Sequence, residues 1–215
     1  MRVAVYRMLY GEDFIRESIR SVLAYVDRVF VVKAERPWGS STGVLYKDSW
    51  VPWPETFDHT RERIASLKEP RIEIINDFWP RPQAQYQHIV KDLLLPRCKR
   101  LTEVVYMEPD WVFEAGQAEK TFAAWKANPH AARGWTGQVE LWRTPAWRLP
   151  YRARATPHLA RLRVRDTSGP ELLIKAVCHN LGFCVSETSM YWKHLTAMAF
   201  SAEIDIALTA AWSTV

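Results

Sequence analysis

Two carboxylates stand two residues apart at Glu108-Pro109-Asp110, directly after the apolar run Val104-Val105-Tyr106-Met107. Such a run reads as a strand buried in a parallel sheet. Ligands of open α/β sheets bind beyond the carboxyl ends of the strands, where helices splay apart. Pro109 removes a backbone donor and stiffens the turn, which holds both acids toward one crevice. Their hard oxygen atoms suit Mg²⁺ or Mn²⁺ and the phosphates those ions bridge. The ordinary alternative is a solvated strand-to-helix turn with Asp110 as a helix N-cap.

The elements around that turn alternate. Residues 2–8 form a short β-rich run, and Ile15, Ile19, Val22, Leu23 and Val26 recur at helical spacing. Val29-Phe30-Val31-Val32 follows as a second buried strand, so the opening is a βαβ unit with a right-handed crossover. Residues 35–54 lack periodicity and read as a long functional loop. Further on, the pattern predicts a helix over 59–67, a strand over 72–75, a helix over 83–95, the strand 103–107 and a helix over 115–127. This is an α/β chain of Rossmann-like, doubly wound character with a mostly parallel sheet. The second half is mixed: residues 137–143 alternate at period two, 172–177 and 182–185 read as short strands, and 201–212 as an amphipathic helix. No linker divides the 215 residues, so one domain is expected, with halves 1–115 and 116–215.

Composition narrows the partners. A formal charge of +5 and a pI near 9.2 favour an anionic partner, with a merely basic surface as the equal alternative. Eleven tryptophans, several beside Pro or Arg, can line a sugar or base platform, although most tryptophans serve packing. No run of 18 apolar residues occurs, which excludes a transmembrane helix. The first residues carry no apolar signal core, so the expected location is cytoplasmic. Cys98, Cys178 and Cys184 fit reduced thiols, and the set Cys178, His179, Cys184 and His194 matches no familiar zinc spacing.

Three segments resemble the GT-A glycosyltransferases, in particular the large inverting family with many bacterial polysaccharide enzymes. Residues 12–23 look like the family's first helix, led by an acidic residue. Val26 to Val32 is similar to its aspartate-led second strand. Val104 to Asp110 takes the place of the strand that ends in the Asp-x-Asp metal motif. The likeness covers roughly residues 1–115 and implies a GT-A fold, a nucleotide-sugar-binding first half and an acceptor-binding second half. Here Glu-x-Asp replaces Asp-x-Asp, which makes Asp110 the first metal ligand and Glu108 a weaker or water-mediated one.

The resemblance carries further residues with it. Glu12 stands where an Asn-Glu pair is common, and Glu35 replaces the acid that helps hold the nucleoside. Gln83, Gln85 and His88 open the helix that contributes to the nucleotide pocket, where N–H groups also favour phosphate. His194 is placed to return to the metal and the diphosphate, with Lys193 beside it to neutralise phosphate; packing against Tyr191 and Trp192 explains that histidine equally well taken alone. An inverting transfer needs a carboxylate to take the acceptor proton. Glu140 matches, unless it pairs with Arg143 or Arg148; Glu114, Asp166 and Glu171 compete for the role. The expected activity is metal-dependent transfer of a sugar from a nucleotide-diphosphate sugar, such as a UDP-sugar, to an acceptor hydroxyl. The Arg-rich stretch 143–165, with Trp142 and Trp147 beside its arginines, suits a polyanionic or base-presenting acceptor. The likeness then extends to small phage enzymes acting on hydroxymethylated pyrimidines of DNA. A glycan or lipid-linked acceptor, nucleotidyl transfer, and a non-enzymatic nucleic-acid-binding module are the rivals.

Overall fold

The computed structural model describes residues 1–8, 13–33, 43–46, 49–52, 59–76, 89–142, 144–148, 152–162 and 170–183, of which 43–46, 49–52, 140–142, 144–148, 152–158 and 180–183 are described by backbone alone. In chain order the strands are β1 (Arg2–Met8), β2 (Arg28–Lys33), β3 (Gly43–Tyr46), β4 (Ser49–Pro52), β5 (Ile72–Asn76), β6 (Glu103–Met107), β7 (Trp111–Phe113), β8 (Arg133–Trp142), β9 (Thr144–Arg148), β10 (Arg152–Arg161) and β11 (Glu171–Phe183). The helices are α1 (Ile15–Val22), α2 (Thr60–Ala65) and α3 (Gln117–Ala127), and a π-helical stretch Ile89–Leu94 runs into one α-helical turn, Leu95–Arg97.

Among the described residues nine strands form one mixed, mostly parallel sheet in the order β5-β2-β1-β6-β10-β8-β11-β7, with β9 paired to β8. β5, β2, β1 and β6 are parallel, β10 lies antiparallel between β6 and β8, and β11 returns parallel to β8. A single sheet therefore crosses both halves of the chain, as a Rossmann-like α/β protein requires. From β1 the chain builds outward through β2 to β5, then crosses back to place β6 on the other side of β1. The ordering reverses at the β1/β6 junction, which is where such sheets open a crevice.

β1 shows why the core has two layers. Its side chains alternate across the sheet, as strand geometry dictates. Ala4, Tyr6 and Met8 pack with Ile15, Ile19 and Val22 of α1 and Phe122 and Trp125 of α3. Val3 and Val5 pack on the other face with Ile89, Leu94, Cys98 and Leu101. The near-continuous apolar runs in β1, β2 and β6 are what burial on both faces demands.

Several elements differ from expectation. The stretch 35–54 contains the antiparallel pair β3/β4. The two short strands expected at 172–177 and 182–185 are one strand, Glu171–Phe183, with register shifts against β8 between Ile174 and Val177 and between Asn180 and Phe183. The Arg- and Pro-rich stretch supplies β9 and β10. The turn after β6 leads into β7 rather than a helix, and α3 starts only at Gln117 after Gly116, whose φ of 78° is left-handed. Asp110 is therefore no helix N-cap. Of the helix expected over 83–95, residues 83–88 lie outside the described residues, as does 201–212. Among the described residues no helix is long and apolar enough to cross a membrane.

Candidate functional site

The parallel strands β1, β2, β5 and β6 all end on one side of the molecule, and Glu108-Pro109-Asp110 lies on that side, between β6 and β7. The turn is closed by the Trp111 N–H, which donates to the Glu108 carbonyl at 3.1 Å. β7 then pairs antiparallel with β11, which anchors the far end of the turn to the second half of the sheet. The two acids thus sit where the first half of the sheet meets the second.

Their surroundings differ. Arg7, near the end of β1, donates from its guanidinium to Glu108 Oε1 at 2.7 Å across the β1/β6 junction, and both side chains are about one-fifth exposed, at 21% each. An arginine held this way neutralises the charge of Glu108 in the first instance. Asp110 lies on the other flank of the turn, toward β11. Its negative charge is felt by Cys178, a fully buried thiol that burial first, and Asp110 second, push well above its ordinary range.

Behind the turn lies a buried polar cluster. Ser18 of α1 is fully buried, and its hydroxyl donates to the carbonyl of Trp111 while lying 3.3 Å from the carbonyl of Glu108 and 3.3 Å from the Tyr6 hydroxyl. Burial pushes the Tyr6 phenol far up, against the opposing effect of its bond with Ser18, so it remains protonated. Ahead of α1, Asp13 accepts from Arg63 of α2 at 2.9 Å, tying the start of that helix to its neighbour.

Register places Glu140 nearby. On β8 it is opposite Asn180 of β11, which is opposite Trp111 of β7, the residue after Asp110. Two strand spacings, about 10 Å, therefore separate the backbone of Glu140 from that of Trp111. Its competitors are engaged elsewhere: Glu114 lies 3.3 Å from His179 Nε2, and Glu171 lies 3.6 Å from Arg133 at the opposite end of the sheet. Asp166 lies outside the described residues.

Of the residues expected at the site, the structure thus brings together Glu108 and Asp110, with Glu140 at a nearby register position. Glu12, Glu35, Gln83, Gln85, His88, Lys193 and His194 all lie outside the described residues. So do Cys184 and most of the expected basic face. Arg161, the one arginine of 143–165 with a described side chain, turns inward instead. It pairs with Glu103 at 3.2 Å, donates to the carbonyls of Trp125, Asn128 and Ala131, and lies 3.7 Å from the centroid of the Trp125 ring. It completes the C-terminal end of α3, where a cation is favoured, rather than meeting a polyanion.

Sequence reasoning missed Arg7 and Ser18. Arg7 is one polar residue in a strand and gave no signal. Ser18 did: it stands at i+3 from Ile15 on an otherwise apolar stripe with Ile19 and Val22, so a hydroxyl was bound to be buried there.

Carboxylate oxygens at the turn fit a hard divalent ion. Mg²⁺ and Mn²⁺ sites often use only one or two carboxylates, with substrate phosphates and water completing the shell. Among the described residues no group of three or more His, Cys, Asp or Glu side chains forms a ready-made cage. The chain matches no protein-family profile and none of the curated proteins.

Proposed function

We propose that this protein is a metal-dependent glycosyltransferase of the GT-A type, which moves a sugar from a nucleotide-diphosphate sugar to an acceptor hydroxyl. The observation that supports it best is the position of the Glu108-Pro109-Asp110 turn, at the carboxyl end of β6 and beside the β1/β6 reversal of strand order. A crevice at such a reversal takes nucleotide ligands in many unrelated α/β proteins. Residues 1–115 would form its nucleotide-sugar side and 116–215 its acceptor side.

Within this reading Asp110 would hold a Mn²⁺ or Mg²⁺ ion, and Glu108, already engaged by Arg7, would contribute through water. When bound, the ion supplies neutralisation of the charge that develops on the departing diphosphate. Glu140 would take the proton of the acceptor hydroxyl as its oxygen bonds to the anomeric carbon and the bond from that carbon to the diphosphate breaks. His194, Lys193, Glu12, Glu35, Gln83, Gln85 and His88 join the donor side on the resemblance alone.

The formal charge of +5 supports an anionic acceptor, with hydroxymethylated pyrimidines in DNA as the specific proposal. The decisive experiment incubates the protein and Asp110→Ala with a panel of nucleotide sugars and Mn²⁺, alone and with modified DNA, glycan or lipid-linked acceptors. We expect donor turnover by the wild type and a loss of at least about 100-fold in the variant, with far-ultraviolet circular dichroism unchanged. Equal activity in both proteins would sink the assignment. If DNA is the acceptor, its binding should weaken steeply with added salt; binding that ignores salt would point to the glycan or lipid.

A further inference from the structure

We infer that Ser18 is a positioning residue for this site, fixing the acidic turn through its backbone without itself touching a ligand. The inference rests on the reading of that turn as the metal and donor-diphosphate site. Serine is a poor choice for the buried stripe of a helix, because its hydroxyl must be taken out of water and repaid with partners. At position 18 the partners are the turn itself. The carbonyls it reaches, those of Glu108 and Trp111, bracket Pro109 and Asp110 on both sides. The same two residues close the turn through the 3.1 Å bond from the Trp111 N–H to the Glu108 carbonyl. One hydroxyl therefore fastens the Trp111 end of the segment that carries the carboxylates to the middle of α1, and the Trp111 N–H ties the Glu108 end to it.

The fastening extends to the centre of the sheet. Ser18 and Tyr6 share a hydrogen bond of 3.3 Å, and Tyr6 stands on β1, the strand that borders the crevice. Phenol and hydroxyl are both neutral and dry, so the link holds the turn without adding a charge that would compete for a cation. Around them Ile15, Ile19 and Val22 are fully buried, so the hydroxyl sits in an apolar setting where a lost partner is costly. Pro109 stiffens the turn from within, and Ser18 ties it from behind. Groups that orient metal ligands in this indirect way commonly change metal affinity or activity by about 10- to 100-fold when removed.

The test measures Mn²⁺ affinity in the presence of UDP, and the kcat and KM of nucleotide-sugar turnover, in the full-length protein. Ser18→Ala should weaken Mn²⁺ binding by about 10-fold and lower kcat by about 10- to 100-fold, with a smaller change in donor KM. Val22→Ala, one helical turn further along the same buried stripe and without a hydroxyl, measures what loss of helix packing alone does; it should lower stability and leave both readouts within about 3-fold. If Ser18→Ala does not fold, Ser18→Cys replaces it, since a thiol fills nearly the same space but donates weakly, and the same direction of loss is expected. Wild-type Mn²⁺ affinity and kcat in a folded Ser18 variant, or equal losses in the Ser18 and Val22 variants, would overturn the inference. Asp110→Asn runs in parallel: if it binds Mn²⁺ as the wild type does, the reading of the metal site falls, and the role of Ser18 falls with it. If Asp110→Asn alone is impaired, only the Ser18 inference fails.

Discussion

Glu108 and Asp110 are both carboxylates, separated by one proline, and sequence alone ranks them only through the family motif they resemble. Their neighbours rank them by physics. Glu108 accepts from Arg7 at 2.7 Å, with each side chain only 21% exposed, so solvent screens the pair weakly. Asp110 lies close enough to add to the upward shift that burial imposes on the Cys178 thiol. The two acids should therefore fail differently. Glu108→Gln should cost about 1–2 kcal/mol of stability through the weakened Arg7 contact, between the values typical of exposed and buried pairs. Its Mn²⁺ affinity should fall by no more than about 5-fold, whereas Asp110→Asn should lose most of its Mn²⁺ binding. Chemical denaturation and Mn²⁺ titration of the two variants side by side would decide the matter; a Glu108→Gln protein of full stability that no longer binds Mn²⁺ would reverse the ranking.

Among the elements, α3 shows how the second half of the sheet is fastened. Trp125 is fully buried, Arg161 lies over its ring, and Gly134 at the start of β8 lets the indole approach the strand backbone. A Cβ at position 134 would lie 3.0 Å from Trp125 Cε3 and 3.2 Å from Leu159 Cβ, tighter than side chains normally pack. Because Arg161 grips Trp125 at 3.7 Å, the ring has little room to retreat. Gly134→Ala should thus destabilise by about 1–3 kcal/mol, a fall in Tm of roughly 2–4 °C per kcal/mol in a chain of this size; a variant melting at or above the wild type would show that the packing is looser than described. The elements also divide into those the sequence made legible and those it did not. β1, β2, β5, β6 and α1 announce themselves because burial on two faces, or on one stripe, leaves a periodic trace. β7 is only three residues long, Trp111–Phe113, too short for any period to show. β10 contains Pro157 and three arginines, a composition that argues against a strand, yet it lies between β6 and β8 and takes its hydrogen bonds from them. Its register against β8 shifts between Arg152 and Thr156 and between Pro157 and Leu159, which accommodates a residue without an N–H. The candidate site divides in the same way. The Glu-Pro-Asp turn was legible from local spacing, whereas the Arg7–Glu108 contact joins residues 101 apart in sequence and depends on β1 lying beside β6.

At the scale of the molecule the two ends of the sheet carry different kinds of charge. The end away from the turn is closed by structural ion pairs, with Glu103 between Arg2 and Arg161, and Glu73 between Arg28 and Arg97. The other end presents the acidic turn, and between the two lies a core whose ionisable groups are kept neutral. Burial pushes Tyr106 up to about 12 from 10.0, raises Tyr6 further, and raises Cys178 from 9.0 with help from Asp110. In the unfolded chain these phenols and thiols lose their protons near their ordinary values, while in the folded protein they keep them. Between about pH 9 and pH 12 the folded state therefore binds more protons than the unfolded one, and stability must fall as pH rises. Each such group contributes a loss of up to about 1.4 kcal/mol per pH unit once its unfolded form titrates. Below pH 8 the three groups are protonated in both states and contribute no slope. Urea unfolding at pH 7, 8 and 11 should show a midpoint that moves little in the first interval and drops in the second. Absorbance at 295 nm should show at least one tyrosine ionising only together with unfolding, and Tyr6→Phe should remove it. A midpoint that stays level to pH 11, or tyrosines that all titrate freely in the folded protein, would mean that water reaches the space behind the acidic turn.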